Sequence, residues 1–361
     1  MNIRQEIHDL WEQRMQFKCI DIRCYGRVCL SRNISGFPFS FQASAHQRFE
    51  VLEKIKKALT NVLNLSTEWF AIALASCNPV EGVLLRSLCR LENPCDETVV
   101  WVNRKNFVQI IVNDGDHCRL QYISSFLTYK ELWSVIDALD TQLETQLDYA
   151  FNPELGYYTC SPSYLGTGLL TEGLLHLPGL CFFRQINHVQ EALKELQLKF
   201  KIAKRVKDEY LAHFFYISNT FGRGCDEITL LNHFESANQL IIQKEEEARE
   251  VIKTKHATFI RDSVSRAWGL LRHCYEISFE EAMNLLSVVA MAFRMGMFVG
   301  MDENSFMRLW QSMSTFGLKV TFQKEFKPEE ENTVRADILR NYFSKISDPF
   351  IVKTEEGSHV S

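Results

Sequence analysis

The segment Gly156–Leu180, GYYTCSPSYLGTGLLTEGLLHLPGL, carries residues suited to chemistry. Gly166 and Gly168 flank Thr167, and glycine lets a backbone loop approach a ligand closely. Just upstream, Cys160 and Ser161 offer a thiol and a hydroxyl. A glycine-rich loop beside a nucleophilic side chain reads as a phosphate and nucleophile site, or as the shell of one that has lost its charges. The apolar run that follows the loop reads as helical.

The elements that must position this loop are an α+β set. Residues 2–17 read as a short helix and residues 22–32 as a strand with its turn. Residues 43–63 read as a helix, with Phe49, Leu52, Ile55 and Leu59 at helical spacing. WFAIALA reads as a buried strand, and VEGVLLRSLCRL as a helix. ETVVWV, FVQIIV and CRLQYIS are β-rich runs separated by the turn-like NRKN and NDGD, so an antiparallel meander is expected. A helix follows at 129–148, then two strands in LQLKFKIAKRV and HFFYISN. From residue 226 onward the pattern is helical, with a capping signature at Ser278 and Glu281. The KEEEARE run reads as a solvated helix face. The expected domains are 1–255 as an α+β catalytic-type domain, 256–350 as an all-α domain and 351–361 as a flexible tail.

Composition narrows the class. The chain has 361 residues, a net charge of -5 and 46% hydrophobic residues, which fits a globular protein and gives no basic excess for nucleic acid or an anionic membrane. Its 11 cysteines are scattered and form no C-x-x-C pair, so no metal site is expected and a reducing, cytoplasmic setting is. No run is apolar and long enough for a membrane span, and the amphipathic N-terminus lacks a signal-peptide core.

Five stretches in order resemble the ATP:guanidino phosphotransferases, in particular the bacterial protein arginine kinases. GYYTCSPSYLGTGL…LHLPGL is similar to that family's GYLTSCPTNxGTGLR…HLPAL, VNDGDHCRLQ to NEEDHxRxQ, and RVCLSRNISGFPF to SSRIRLARN…FP. DYAFNPELGY, RQIN and FYISN match intervening pieces. The resemblance implies a guanidino-kinase/glutamine-synthetase-like antiparallel sheet flanked by helices. It also implies ATP with Mg²⁺ as cofactors and arginine side chains of proteins as acceptors. A homodimer, a zinc-finger-type activator protein and a Clp-type protease or chaperone are its implied partners; nucleic acid and membrane are not.

Carried over position by position, the resemblance puts the nucleotide on Arg27, His117, Arg119, Gly166, Thr167, Gly168, Lys201, Lys204 and Arg205. It puts the acceptor guanidinium on Asp114, Ser161 or Glu209. Cys29 stands where the family has a second clamp arginine, Leu170 where GTGLR ends, and Val206 where the RGxxGE loop has its glutamate. Gly115 replaces the glutamate that holds the guanidinium and takes its proton. Cys160 lies one residue before the family's cysteine position, which in an extended segment turns it to the opposite face. Toward the C-terminus, Glu331–Ala336 stands where the family has a phosphoarginine-binding RDxxRA, and Glu331 in place of arginine repels such a ligand. Two readings follow: a protein arginine kinase, or a weakened pseudokinase that serves as a dimeric adaptor in protein quality control.

Overall fold

The computed structural model describes residues 3–14, 21–63, 65–203, 205–206, 209–220, 224–298, 300–322 and 324–347. Eight strands form one antiparallel sheet: β1 (Arg23–Arg32), β2 (Trp69–Ala73), β3 (Pro94–Asn103), β4 (Gln109–Asp114), β5 (Asp116–Ser124), β6 (Leu169–His176), β7 (Leu198–Ile202) and β8 (Phe214–Asn219), in the spatial order β2-β3-β4-β5-β1-β6-β8-β7. The meander expected from the three β-rich runs is β3-β4-β5. The apolar run after the GTG loop is β6, not a helix. It is buried on both faces, and a short unbroken apolar run has no period that separates strand from helix.

The chain forms two compact units. One comprises Met1–Leu175, Ile186–Ile202 and Phe215–Ile242; the other comprises His176–Gln185, Ala203–Phe214 and Gln243–Ser361. In the first, helices Ala45–Val62 and Tyr129–Glu144 cover one face of the sheet. Each begins with a reciprocal capping box, Ser44 with Gln47 and Thr128 with Glu131. Val51, Ile55, Leu59, Leu132, Ile136 and Leu143 supply the buried stripe. Gly26 and Gly173 are cross-strand partners, and a Cβ on either would meet the Tyr129 ring or hydroxyl within 2.8 Å. The bare backbone there is what admits that tyrosine.

Strand alternation then separates two chemistries. Even-numbered β1 residues face the helices. Among them is Arg32, whose guanidinium donates to Asp140 Oδ2 through Nε at 3.0 Å and Nη2 at 2.7 Å and lies 3.6 Å above the Tyr157 ring. Arg32 therefore locks a helix to the sheet. Odd-numbered residues, including Arg27 and Cys29, face the other way.

The second unit is helical, as expected for the C-terminal part: Glu227–Lys255 enters it, followed by Ala257–His273, Phe279–Arg294, Glu303–Ser312, Thr315–Phe322 and Pro328–Phe343. Ser278 caps its helix by accepting from the Glu281 N–H. The KEEEARE run is not wholly solvated. Glu245 is fully buried and accepts from the N–H groups of Gly179 and Leu180 and from Arg249 Nε at 2.7–2.9 Å. Spacing of four residues puts Glu245 and Arg249 on the inner side of an otherwise charged helix.

Candidate active site

The odd-numbered face of β1 and its neighbours carries the first part of the site. The register pairs Arg27 with Glu172 and Cys29 with Leu170 on β6, and Cys29 with Gln121 on β5. Arg27 is 3% exposed. Its Nε donates to Gln121 Oε1 at 3.0 Å, its Nη1 lies 3.9 Å from Glu172 Oε1, and its Nη2 has no hydrogen-bond partner. Burial works against the Arg27 charge, but its anionic surroundings, Glu172 and Glu92 among them, leave its pKa raised. Cys29 itself is driven up by burial, more than Arg27 and Arg119 pull it down. It is thus a neutral thiol that donates to Gln121 Oε1.

Arg119 joins from β5. Its Nη2 lies 2.7 Å from Asp114 Oδ2 and donates to the Arg90 carbonyl at 2.8 Å, while Nη1 is 3.4 Å from Glu92 Oε1. Asp114 is completely buried. Its carboxylate also accepts from the N–H groups of Glu92 and Asn93 at 2.8–3.1 Å. The carboxylate therefore holds Arg119 and the loop after helix Pro79–Cys89 in place.

Sequence reasoning missed Arg90. It ends that helix in the left-handed region at φ 52°, ion-pairs with Glu172 and lies over the rings of Tyr25 at 4.9 Å and Tyr216 at 5.4 Å. No motif surrounds it; only the fold brings it beside Arg27 and Arg119. Lys201, on edge strand β7, is exposed and pairs with Tyr216, so it projects from the same face as Arg90. Tyr164 was also missed. Its hydroxyl pKa is pushed up to about 12, first by burial and then by Glu92 and Cys29.

The second part is the junction of NDGDH with TCSPS. Gly115 turns between β4 and β5 at φ 81°, and a Cβ placed there would sit 3.6 Å from Cys160 Sγ. The Cys160 N–H donates to Asp116 Oδ1 at 2.6 Å, and Asn33 Nδ2 donates to the same oxygen at 2.7 Å. The sulfur therefore stands beside the Gly115 turn, where the family pattern has a glutamate. The chain bends at Cys160 and Ser161 ahead of a short helical turn, Pro162–Tyr164, so strand alternation does not apply and the side chain is not turned away. Burial raises the Cys160 pKa, and Asp116, Glu92 and Asp114 add to the rise, which keeps it a thiol. Ser161 is half-buried next to it.

The GTG loop is used differently from a phosphate cradle. Gly166 N–H donates to the Tyr157 carbonyl, Gly168 N–H to Tyr164, and Leu169 N–H to Thr167 Oγ1, all at 2.8–3.2 Å. A Cβ on Gly168 would fall 2.5 Å from the Ser31 carbonyl. The glycines allow the loop to pack against β1. His117 is buried as well. Its Nδ1 accepts from Ile34 N–H at 2.9 Å, which fixes Nε2 as the protonated nitrogen, donating to the Pro38 carbonyl at 2.8 Å. Burial lowers its pKa, so it is a neutral staple of the fold.

Lys204 lies outside the described residues. Arg205 and Glu209 belong to a two-residue hairpin in which Val206 pairs with Glu209, described at the backbone level only. In the second unit, Arg335 is 2% exposed and fully engaged. Its Nε donates to Met313 O at 2.6 Å and its Nη1 to Ile277 O, and its Nη2 pairs with Glu331 at 3.3 Å. Glu331 also accepts from Thr315 Oγ1 at 2.6 Å.

Comparison with known proteins agrees with this architecture. Residues 50–248 match the ATP:guanido phosphotransferase C-terminal catalytic domain, and residues 257–354 match the Protein-arginine kinase McsB C-terminal domain. The chain belongs to the ATP:guanido phosphotransferase family, whose reactants are ATP and a guanidino group. It is 30% identical to a protein-arginine kinase of Moorella thermoacetica over 89% of its own length and 93% of the relative's. It is 29% identical to that of Clostridium novyi over 89% and 94%. Among solved structures it resembles the duplicated taurocyamine kinase of Schistosoma mansoni (TM-score 0.54, 20% identity, 64% of this chain and 34% of that one). It also resembles lombricine kinase (TM-score 0.51, 20% identity, 62% and 65%). The chain thus spans less than two thirds of each of those two structures, which show the fold.

Proposed function

We propose that the protein transfers the γ-phosphoryl group of ATP to arginine side chains of proteins. The observation that carries this reading is the convergence at Gly115. The turn after β4, the Cys160 thiol and the Arg119–Asp114 pair meet within one unit, beside the face that bears Arg27, Arg90 and Lys201. Guanidinium forks suit phosphate oxygens, and their charge is permanent. Arg27, Arg90, Arg119 and Lys201 would hold the triphosphate; Cys160 and Ser161 would orient the acceptor. Asp114 would act through Arg119, being already fully bonded. Mg²⁺ would enter with ATP, held by its phosphate oxygens.

In the transfer, an acceptor nitrogen bonds to the γ-phosphorus as the bond to the ADP oxygen breaks, and the nitrogen loses a proton. Gly115 offers no carboxylate and Cys160 is a thiol, so the proton would leave to solvent. Because this transition state is loose, positioning and charge contribute more than the base does. The missing base and clamp arginines favour a slow enzyme. A cytoplasmic homodimer with an activator and a Clp-type partner belongs to the same reading. Its support is the similarity to protein-arginine kinases, together with ten free cysteines among the described residues, which suit a reducing compartment.

The test is incubation with Mg–ATP and an arginine-rich protein. Acid-labile phosphate on arginine, lost in Arg119→Ala, is the expected result. No label together with no ATP-induced thermal shift would reject the kinase and leave the adaptor reading.

A further inference from the structure

The arginine charges on the phosphate face are matched one for one by carboxylates. Three guanidiniums (Arg27, Arg90 and Arg119) meet three carboxylates (Glu92, Asp114 and Glu172). The carboxylates are not equivalent. Asp114 is fixed by backbone N–H groups of residues 92 and 93, and the Glu92 side chain is half exposed. Glu172 stands directly opposite Arg27 in the strand register, with one oxygen placed toward both Arg27 and Arg90. Arg27 nevertheless keeps a buried Nη2 without a hydrogen-bond partner. A guanidinium fork has donors for more oxygens than one carboxylate supplies here.

We infer that Glu172 is a resident counter-anion of the phosphate clamp, which the nucleotide must displace from Arg27 and Arg90 in order to bind. This rests on the nucleotide reading above. Carboxylate and phosphate offer the same oxygen geometry to an arginine fork, so the two compete for one set of donors. With Glu172 in place, Arg90 is held between Tyr25 and Tyr216, and each of the three guanidiniums has a carboxylate beside it without ligand. On exchange, the phosphates take over Arg90 and Arg27 Nη2, and the Glu172 carboxylate is left beside them as a like charge. Glu172 therefore sets how weakly the site holds a triphosphate. Neutralising it keeps the side chain's size and removes the competitor.

The experiment is calorimetric titration of the full chain, wild type and Glu172→Gln, with Mg–ATP and with inorganic tripolyphosphate. Glu172→Gln is expected to bind both probes about 10-fold tighter or better, the size of one near charge removed from a partly buried site. Equal or weaker binding by Glu172→Gln, with the wild type binding, overturns the inference alone: Glu172 would then position Arg90 for the nucleotide. No binding by either protein overturns the nucleotide reading and the inference with it. If Glu172→Gln does not fold, Glu172→Asp serves in its place. Its carboxylate retracts by one methylene and should tighten binding in the same direction; unchanged or weaker binding rejects the idea.

Discussion

Cys29 and Leu170 are cross-strand partners in the β1–β6 register, on the face that carries Arg27 and Arg119. The two clamp arginines that the family pattern places here are lost side by side. Arg27 is left next to a thiol and an alkyl chain, with Glu172 as its partner across the strands. Leu170→Arg places a guanidinium next to this gap. Its expected effect is Mg–ATP binding tightened by about 10-fold or more, as a preorganised charge at a developing phosphate contact allows. Without ligand the same variant should lose about 1–3 kcal/mol, because a charge is buried where Leu170 was packed. Urea titrations with and without ATP read both effects at once. Stability that is equal in the two conditions would rule the position out of the phosphate contact.

Asp114 offers a sharper separation of structural from chemical roles. It gathers two backbone N–H groups and Arg119 with no exposure to water. Asp114→Ala leaves Arg119 buried beside an empty position and should destabilise the unit by about 3–5 kcal/mol. Asp114→Asn keeps the shape and an acceptor and should lose less. If Asp114 were the proton acceptor instead, Asp114→Asn would keep its urea midpoint and its ATP affinity and lose only turnover.

The fold was legible where local chemistry and global pattern agree. The β-rich runs and turn-like separators in residues 97–124 give the meander, and Ser278 announces its helix because its side chain accepts from the first turn. Leu169–His176 was misread because a strand buried on both faces shows no period. Glu245 was misread because a buried carboxylate looks like a solvated one until its N–H partners arrive from 65 residues away. The site was legible as motifs in order, not as geometry. Arg90 and Glu172 carry no signature, and Cys160 faces Gly115 because of a bend that no residue type encodes on its own. The glycines of GTG suggested a cradle, whereas they admit a close approach of backbone to backbone.

Gly115 marks the place where one residue should change the chemistry. A Cβ there comes no nearer than 3.6 Å to any neighbour, the nearest being Asn93 Nδ2 and Cys160 Sγ, so space is available. The backbone is the obstacle: at φ 81° a side chain costs about 1–2 kcal/mol. Gly115→Glu is expected to lower stability by that amount and to raise arginine phosphorylation by about 100-fold, the scale of a positioned general base. Gly115→Ala separates the two effects: it should show the same strain and no gain in rate. A gain with alanine, or none with glutamate, would place the acceptor elsewhere.

The second unit contains a buried pair of imidazoles that should govern its acid stability. His176 Nε2 and His213 Nδ1 both contact Ser287 Oγ, at 2.7 and 2.8 Å. One hydroxyl can donate to only one ring, so the other must donate to it, and both rings are neutral. Burial lowers the His213 pKa to about 4 and holds His176 well below its ordinary value. The unfolded chain takes up these protons near pH ~6.5 and the folded chain does not. The contribution is therefore complete above pH ~6.5 and is lost as pH falls toward about 4. For His213 alone the loss between pH 7 and pH 5 should be about 2 kcal/mol. His213 has φ 56°, which asparagine tolerates, so His213→Asn removes the titration with little backbone strain. Urea unfolding of this unit should be markedly flatter with pH in the variant. Equal slopes in the two proteins would show that the imidazole of His213 is solvated and titrates normally.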